Sequence, residues 1–347
     1  MIAKIVGVGE FLPGEPISNA KMEARFSLRA DWVDAIIGTR SRHFAVDLDS
    51  GEVVFDLAAL AVRAAERALA SARLEKDDVD LIVLSTATPD ALMPATVNVV
   101  ADRLGIDQVA TYQIQAGCAG SLQAIDVAAA FLGRENCRNA LVVSADTCYK
   151  FLDLSLPFAE LPPAELINLA LFGDGAGALV LSNSKRRPGI VIEQILNRFE
   201  GLGHAPGQVL NWASPSGFAG KVTDERARVA SAKEDYKQIE VRVPVMARAL
   251  LEELLEAGGR SRADIRYFLP PQLAGKITGA IIDVLGVEPA RCITRVADVG
   301  NTGNATPYFQ LNELWQRMQP EEYAVVLTIE SSKWLKTGMV LRREPAP

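Results

Sequence analysis

Histidine is almost missing from this chain of 347 residues, which has only His43 and His204. Two imidazoles so far apart in sequence do not suggest a metal cluster, and no metal site is expected. Cysteine is also sparse. Cys118, Cys137, Cys148 and Cys292 show no C-x-x-C spacing, which argues against a zinc site or a disulfide framework and suits a reducing cytosol. No polybasic block occurs, and a formal net charge of −7 opposes general affinity for nucleic acid. A local basic patch for phosphates stays open. No apolar stretch reaches the length of a membrane span, and the first residues show no basic segment leading into an apolar run and a cleavage site. A cytoplasmic protein without a membrane or nucleic-acid partner is therefore expected.

What is present is core-forming sequence: 49% of residues are hydrophobic and 23% charged, as in a folded protein with a large interior. The patterning reads as a strand over 2–10, a helix over 54–73 and a short buried strand over 80–85. Helices over about 95–104 and 119–133 follow, then strands over 140–144 and 176–181. The second part repeats this order, with helices over 240–257, 272–285 and about 303–318, and strands over 264–269, 323–329 and 339–342. An internal duplication follows from the repeat: an α/β protein with halves 1–183 and 184–347, the second opening on a strand signal at 189–192 and carrying an irregular insertion at about 193–236. Long insertions in compact domains often form lids or binding walls.

Cys118 stands where a strand-like stretch, Tyr112–Gln115, reaches a small-residue turn and then a long apolar-periodic helix. A thiol at the first turn of a helix feels the positive end of the macrodipole, which is expected to lower its pKa and enrich the attacking thiolate. Ala116, Gly117, Ala119 and Gly120 leave room for a substrate carbonyl. A buried structural thiol is the competing reading, since free cysteine is often buried.

Three ordered segments, Gln115-Ala-Gly-Cys-Ala-Gly120, Leu171-Phe-Gly-Asp-Gly-Ala-Gly-Ala178 and Val299-Gly-Asn-Thr302, resemble signatures of β-ketoacyl-acyl-carrier-protein synthase III, of the thiolase superfamily. Gly38-Thr-Arg-Ser-Arg-His-Phe-Ala45 resembles that family's early Gly-x-Arg-x-Arg-His segment. The resemblance implies a thiolase-like αβαβα five-layer fold and a homodimer whose subunits share the site. It makes Cys118 the acyl-accepting nucleophile and Asn301 an amide donor to a thioester carbonyl. The family's catalytic histidine should fall in Pro270-Pro-Gln-Leu-Ala274, where Pro271 stands in its place. Its Gly-Gly-Gly turn corresponds to Glu330-Ser-Ser-Lys333. On the donor side, Trp32 matches the tryptophan that stacks on the adenine of coenzyme A, although its usual arginine partner falls at Ile36. Lys150 and Lys276 match positions that approach the nucleotide or phosphopantetheine phosphate, or are solvated surface lysines. Met93 matches the residue that reaches into the neighbour's acyl pocket, or packs in the core.

Other candidates are auxiliary. Asn304 could add an amide or cap the following helix. Glu330, ending a buried strand, is a candidate base, and His204 in the insertion could swing in as another. His43 and Asp174 read as fold residues. The leading expectation is an acyltransferase that loads Cys118 from an acyl-CoA or acyl-phosphopantetheine carrier protein and passes the acyl group to a small-molecule or carrier-bound acceptor, in specialised metabolism and with no permanently bound cofactor. Two alternatives are decarboxylative Claisen condensation with an atypical site, and a non-catalytic partner subunit of a heterodimeric synthase.

Overall fold

The computed structural model describes residues 3–151, 163–210 and 232–345. Its main sheet is built from β1 (Lys4–Phe11), β2 (Leu81–Thr86), β3 (Ala110–Gln115), β4 (Asn139–Asp146), β5 (Gly175–Ser182), β6 (Ile190–Phe199), β7 (Tyr267–Leu269), β8 (Tyr323–Glu330) and β9 (Leu335–Arg343). The spatial order is β7-β8-β9-β6-β1-β5-β4-β2-β3. Within each half the order and the strand directions repeat: β2 lies parallel to β3 and β4, and β4, β5 and β1 pair antiparallel. Likewise β7 is parallel to β8, while β8, β9 and β6 pair antiparallel. A parallel bridge between Phe268 and Cys292 lies beside β7 where β3 stands beside β2 in the first half. The halves join through a short antiparallel contact of β1 with β6, Lys4 opposite Val191 and Ile5 opposite Ile190.

Alternation along the strands sorts side chains into separate cores, because successive residues face opposite sides of a sheet. In β2, Ile82 and Leu84 pack in an outer cluster with α1 (Leu57–Ala72) and α2 (Thr96–Leu104). Leu81 and Val83 instead enter a central cluster with α3 (Gly120–Phe131). In β8, Val325 and Leu327 face an outer cluster with α4 (Tyr236–Ala257) and α5 (Gly275–Leu285), and Ala324 and Val326 turn to the central one. The central cluster also takes α6 (Thr306–Arg317) through Tyr308, Leu311 and Leu314. The result is five layers of helix, sheet, helix, sheet and helix. Glycine sets the closest approach: a Cβ at Gly9 of β1 would stand 2.3 Å from the Ala64 carbonyl oxygen of α1.

The structure corrects several expected boundaries. The irregular insertion does not begin near 193, because β6 continues to Phe199 in register with β9. Its acid is satisfied across the sheet surface, since Glu193 accepts from Arg342 Nε at 2.7 Å and pairs with Arg260. Helix α4 starts at Tyr236 because the Asp235 side chain accepts from Gln238 N at 3.1 Å and caps it. Helix α5 starts only at Gly275, since Gln272 Oε1 is engaged by the Arg295 and Val296 amides at 2.5 and 2.8 Å. Residues 211–231 of the expected insertion lie outside the described residues.

Leu311, 1% exposed between the two sheets, has no room to be lost without a cavity. Leu311→Ala is expected to destabilise the fold by about 2–5 kcal/mol, seen as a lowered midpoint in chemical denaturation.

Candidate active site

Cys118, Asn301, Glu330, Lys150 and Lys276 line one cavity of about 560 Å³ at the ends of β3, β4 and β8. Cys118 lies in the turn between β3 and α3, one residue before the helix cap Ala119. Its carbonyl accepts from Ser121 Oγ at 2.8 Å, and the Gly120 amide donates to the Gly117 carbonyl at 2.8 Å.

The turn is held from both halves. Asp146, the last residue of β4, is buried and accepts five hydrogen bonds, from Thr86 Oγ1, Ala87 N, Thr88 Oγ1, Asn304 N and Asn304 Nδ2. Asn304 Nδ2 also donates to the Ala116 carbonyl at 2.8 Å, two residues before the sulfur. This contact needs Gly303, at φ 56°, where a Cβ would stand 2.3 Å from Asp146 Oδ2. Asn304 therefore neither adds an amide to the cavity nor caps α6, whose cap is Ala305. It holds the turn that carries Cys118.

Asn301 is fixed by its backbone, which donates to the Leu171 carbonyl at 2.9 Å and accepts from Gly173 N at 3.0 Å. Its Oδ1 accepts from Gly303 N at 3.0 Å, and among the described residues nothing accepts from its Nδ2. Residue 301 thus brings an unused amide donor to the cavity that Cys118 lines.

The electrostatics reverse the expectation for the thiol. Burial first, then the Glu330 and Asp146 carboxylates, push Cys118 up from its ordinary value to about 12. Residue 118 is half-buried and lines the cavity. A helix terminus is worth about 0.3–1 kcal/mol, and desolvation of a charge costs several times that. The protonated thiol is therefore the favoured form at neutral pH.

Glu330 is 6% exposed, and its Oε1 accepts from Ser332 Oγ. Burial raises its pKa, the Ser332 hydroxyl and the Gly117 and Ala119 amides oppose the rise, and Asp146 adds to it.

The remaining expected residues divide. Lys150 is committed to the fold: its Nζ donates to Thr88 O and Asp90 Oδ1, both at 2.8 Å. Lys276 is an exposed residue of the cavity wall at the start of α5. Trp32 packs half-buried against the outer core of the first half and does not line the cavity, whereas Ile36 does. Pro271 is buried outside the lining, which Leu273 and Ala274 form instead. His204 is exposed and outside the cavity lining, and its backbone carbonyl accepts from Lys333 Nζ at 2.6 Å. His43 is buried with Nδ1 3.0 Å from the Pro13 carbonyl oxygen. Neither imidazole of the chain lines the cavity. Asp174 has the fold role expected of it, accepting from Ala45 N at 2.7 Å and Tyr149 N at 3.1 Å.

Sequence reasoning missed Asp146 and Cys148, both in the lining. An acid directly after the buried run of β4 was the available signal for Asp146. It also missed a polar wall on the insertion side, where Tyr236 Oη donates to Asn168 Oδ1 at 2.5 Å and Asn168 Nδ2 donates to Glu234 at 3.1 Å. Among the described residues no His/Cys/Asp/Glu group could hold a metal ion, and no helix is long and apolar enough to cross a membrane.

Duplicated sheets around shared central helices, with a cysteine at the junction turn, define a thiolase-like enzyme. The comparisons make this specific. A family model described as 3-oxoacyl-[acyl-carrier-protein (ACP)] synthase III matches residues 112–197, and its C-terminal counterpart matches 255–332. The β-ketoacyl-[acyl-carrier-protein] synthase III of Neisseria gonorrhoeae is 31% identical over 307 residues, 88% of this chain and 87% of its own. That of Rhodospirillum centenum is 33% identical, over 87% of this chain and 86% of its own. The chain belongs to the 3-oxoacyl-[acyl-carrier-protein] synthase III family. Among solved structures, the tetronic acid condensing enzyme AbyA1 is 43% identical with a TM-score of 0.91, covering 98% of this chain and 99% of its own. The synthase III of Pseudomonas aeruginosa is 26% identical with a TM-score of 0.81, covering 100% of this chain and 99% of its own.

Alkylation of Cys118 by iodoacetamide should be slow near neutral pH and rise with pH without a plateau up to about pH 10, because the thiol ionises only near 12. Intact mass against time, with Cys118→Ala as the blank, reads this; a plateau below about pH 9 contradicts it.

Proposed function

We propose that this chain is a condensing-type acyltransferase: an acyl thioester of coenzyme A or a carrier protein loads Cys118, and an acceptor hydroxyl then takes the acyl group. The observation that carries this reading is the cavity lining, which holds Cys118 and Asn301 but no imidazole. Decarboxylative condensation builds enolate charge on the thioester oxygen, and losing one of two oxyanion donors typically costs about 10²–10³ in rate. Acyl transfer needs a nucleophile and donors to a tetrahedral oxyanion, with no enolate to hold.

Similarity to a tetronic acid condensing enzyme points to the acceptor class. A tetronic acid is an enolised β-keto lactone, so its ring needs one ester C–O bond and one C–C bond. A hydroxylated acyl acceptor, small or carrier-bound, supplies the oxygen, and transfer from Cys118 makes the ester. We assign Asn301 Nδ2 to the reacting carbonyl oxygen and Lys276 to the phosphate of the phosphopantetheine arm, where an ammonium acts as a point charge. We place the enzyme in the cytoplasm, in specialised metabolism, without a resident cofactor. Retained carbon–carbon condensation is the second reading, favoured by Asn301 standing with its amide free and by the condensing family to which the chain belongs.

Incubation with a panel of acyl thioesters should add one acyl mass per chain, lost in Cys118→Ala; an unmodified wild-type chain throughout overturns the proposal. Labelled malonyl thioester separates the two readings. Release of carbon dioxide coupled to a β-keto product supports condensation, and acyl ester formation on a hydroxyl acceptor without release supports transfer.

We further propose a homodimer whose contact includes Leu92 and Met93, 64% and 86% exposed. Exposed apolar neighbours of this kind mark association surfaces. Met93→Glu should shift the protein toward monomer in sedimentation; an unchanged dimer, or a wild-type monomer, rejects the assignment.

A further inference from the structure

Two carboxylates face Cys118, and they differ in what their oxygens already hold. Asp146 Oδ1 accepts from Thr86 Oγ1, Ala87 N and Thr88 Oγ1, and Oδ2 accepts from Asn304 N and Nδ2. No lone pair remains for a reacting proton. Glu330 is different. Its Oε1 accepts from Ser332 Oγ; its Oε2 is buried, and although the Gly117 and Ala119 amides lie close enough to favour the charged carboxylate, neither makes a hydrogen bond to it. The carboxyl rests on the backbone just before the nucleophile: a Cβ at Gly117 would stand 3.2 Å from Glu330 Cδ and 3.5 Å from Oε1. A buried carboxylate oxygen left unpaired is costly, and a donor arriving on the substrate, or the proton of the neighbouring thiol, relieves that cost.

We propose that Glu330 is the proton-transfer residue of the acyl cycle, acting through Oε2 in place of the imidazole that the cavity lacks. The inference rests on the acyl-transfer reading above. In the loading half, the Cys118 Sγ–H proton passes to Oε2 as the sulfur bonds to the donor carbonyl carbon. The donor's C–S bond breaks, and the proton leaves on the departing thiol. In the second half, the acceptor O–H proton passes to Oε2 as its oxygen bonds to the acyl carbon. The bond from that carbon to Sγ breaks, and the proton returns to Sγ. Glu330 ends each half as a carboxylate, and no oxidant, reductant or further reactant enters.

The surroundings explain why such a residue is needed. Cys118, Glu330, Asp146 and Cys148 line the cavity together; the Glu330 and Asp146 carboxylates act on the Cys118 thiol, and Lys150, paired with Asp90, opposes the acids at Cys148. This acidic setting keeps the thiol protonated, so attack needs a base at the moment of reaction. The same carboxylate charge that holds the proton on sulfur can receive it.

The test sets two reactions of one sulfur against each other, in the full chain carrying Glu330→Gln or Glu330→Asp. Iodoacetamide needs only thiolate, and removing the Glu330 charge lowers the thiol pKa, so E330Q should alkylate faster than wild type at about pH 8. Acylation by a thioester that loads wild type should instead fall about 10²–10⁴-fold in E330Q, the usual contribution of a positioned base, with part restored in E330D. The E330Q acylation rate should keep climbing tenfold per pH unit where wild type has levelled off. Wild-type acylation rates in E330Q overturn the assignment while leaving the acyl-transfer reading intact. Equal losses of alkylation and acylation in both variants assign Glu330 to structure and also overturn it. A wild-type chain that no thioester acylates sinks both proposals together.

Discussion

The buried Asp146 carboxylate is the constraint on which the site depends. It ends a strand of the first half, and two of its five hydrogen bonds come from Asn304 of the second half. Asn304 in turn donates to the Ala116 carbonyl beside the nucleophile. Burial raises the Asp146 pKa and the Asn304, Ala87 and Thr88 donors oppose that rise, so contacts from both halves meet on this one buried group. The position of Cys118 follows from those contacts. Glycines at 120 and 303 are required because side chains there would collide with Asn304 and Asp146.

The same contacts set the chemistry. Strand ends from both sheets converge on a cavity whose ionisable groups near the sulfur are acids and thiols. In that setting a thiol holds its proton, and the dipole of a single helix is too weak to release it. An enclosed pocket gives something back: each hydrogen bond to a developing oxyanion is stronger there than in water. Asn301 has its backbone pinned between Leu171 and Gly173 at the wall of that pocket.

Much of the fold was legible because alternation and helical spacing are properties of the chain alone. Leu81 to Leu84 read as a strand covered on both faces, and they are. The strand over Glu193–Phe199 was not legible, because its acid Glu193 is balanced by Arg260 and Arg342 from other elements. In the site, the turn at Cys118 and the amide at Asn301 were visible as motifs. Asn304 was visible too, but its direction was not, since the carboxylate that turns it lies in another strand. His204 looked like a possible base only while its exposed position was unknown.

By itself, the sequence determined the duplicated α/β rhythm, the cysteine after a strand, and a supply of imidazoles limited to two residues. These are matters of local order and composition, which hold whatever the packing. Only the tertiary structure decided that neither histidine reaches the cavity and that Asp146 and Glu330 stand near the sulfur. It alone decided that burial and nearby carboxylates push the thiol's pKa up. Burial and charge act through space, and the groups responsible come from segments far apart along the chain.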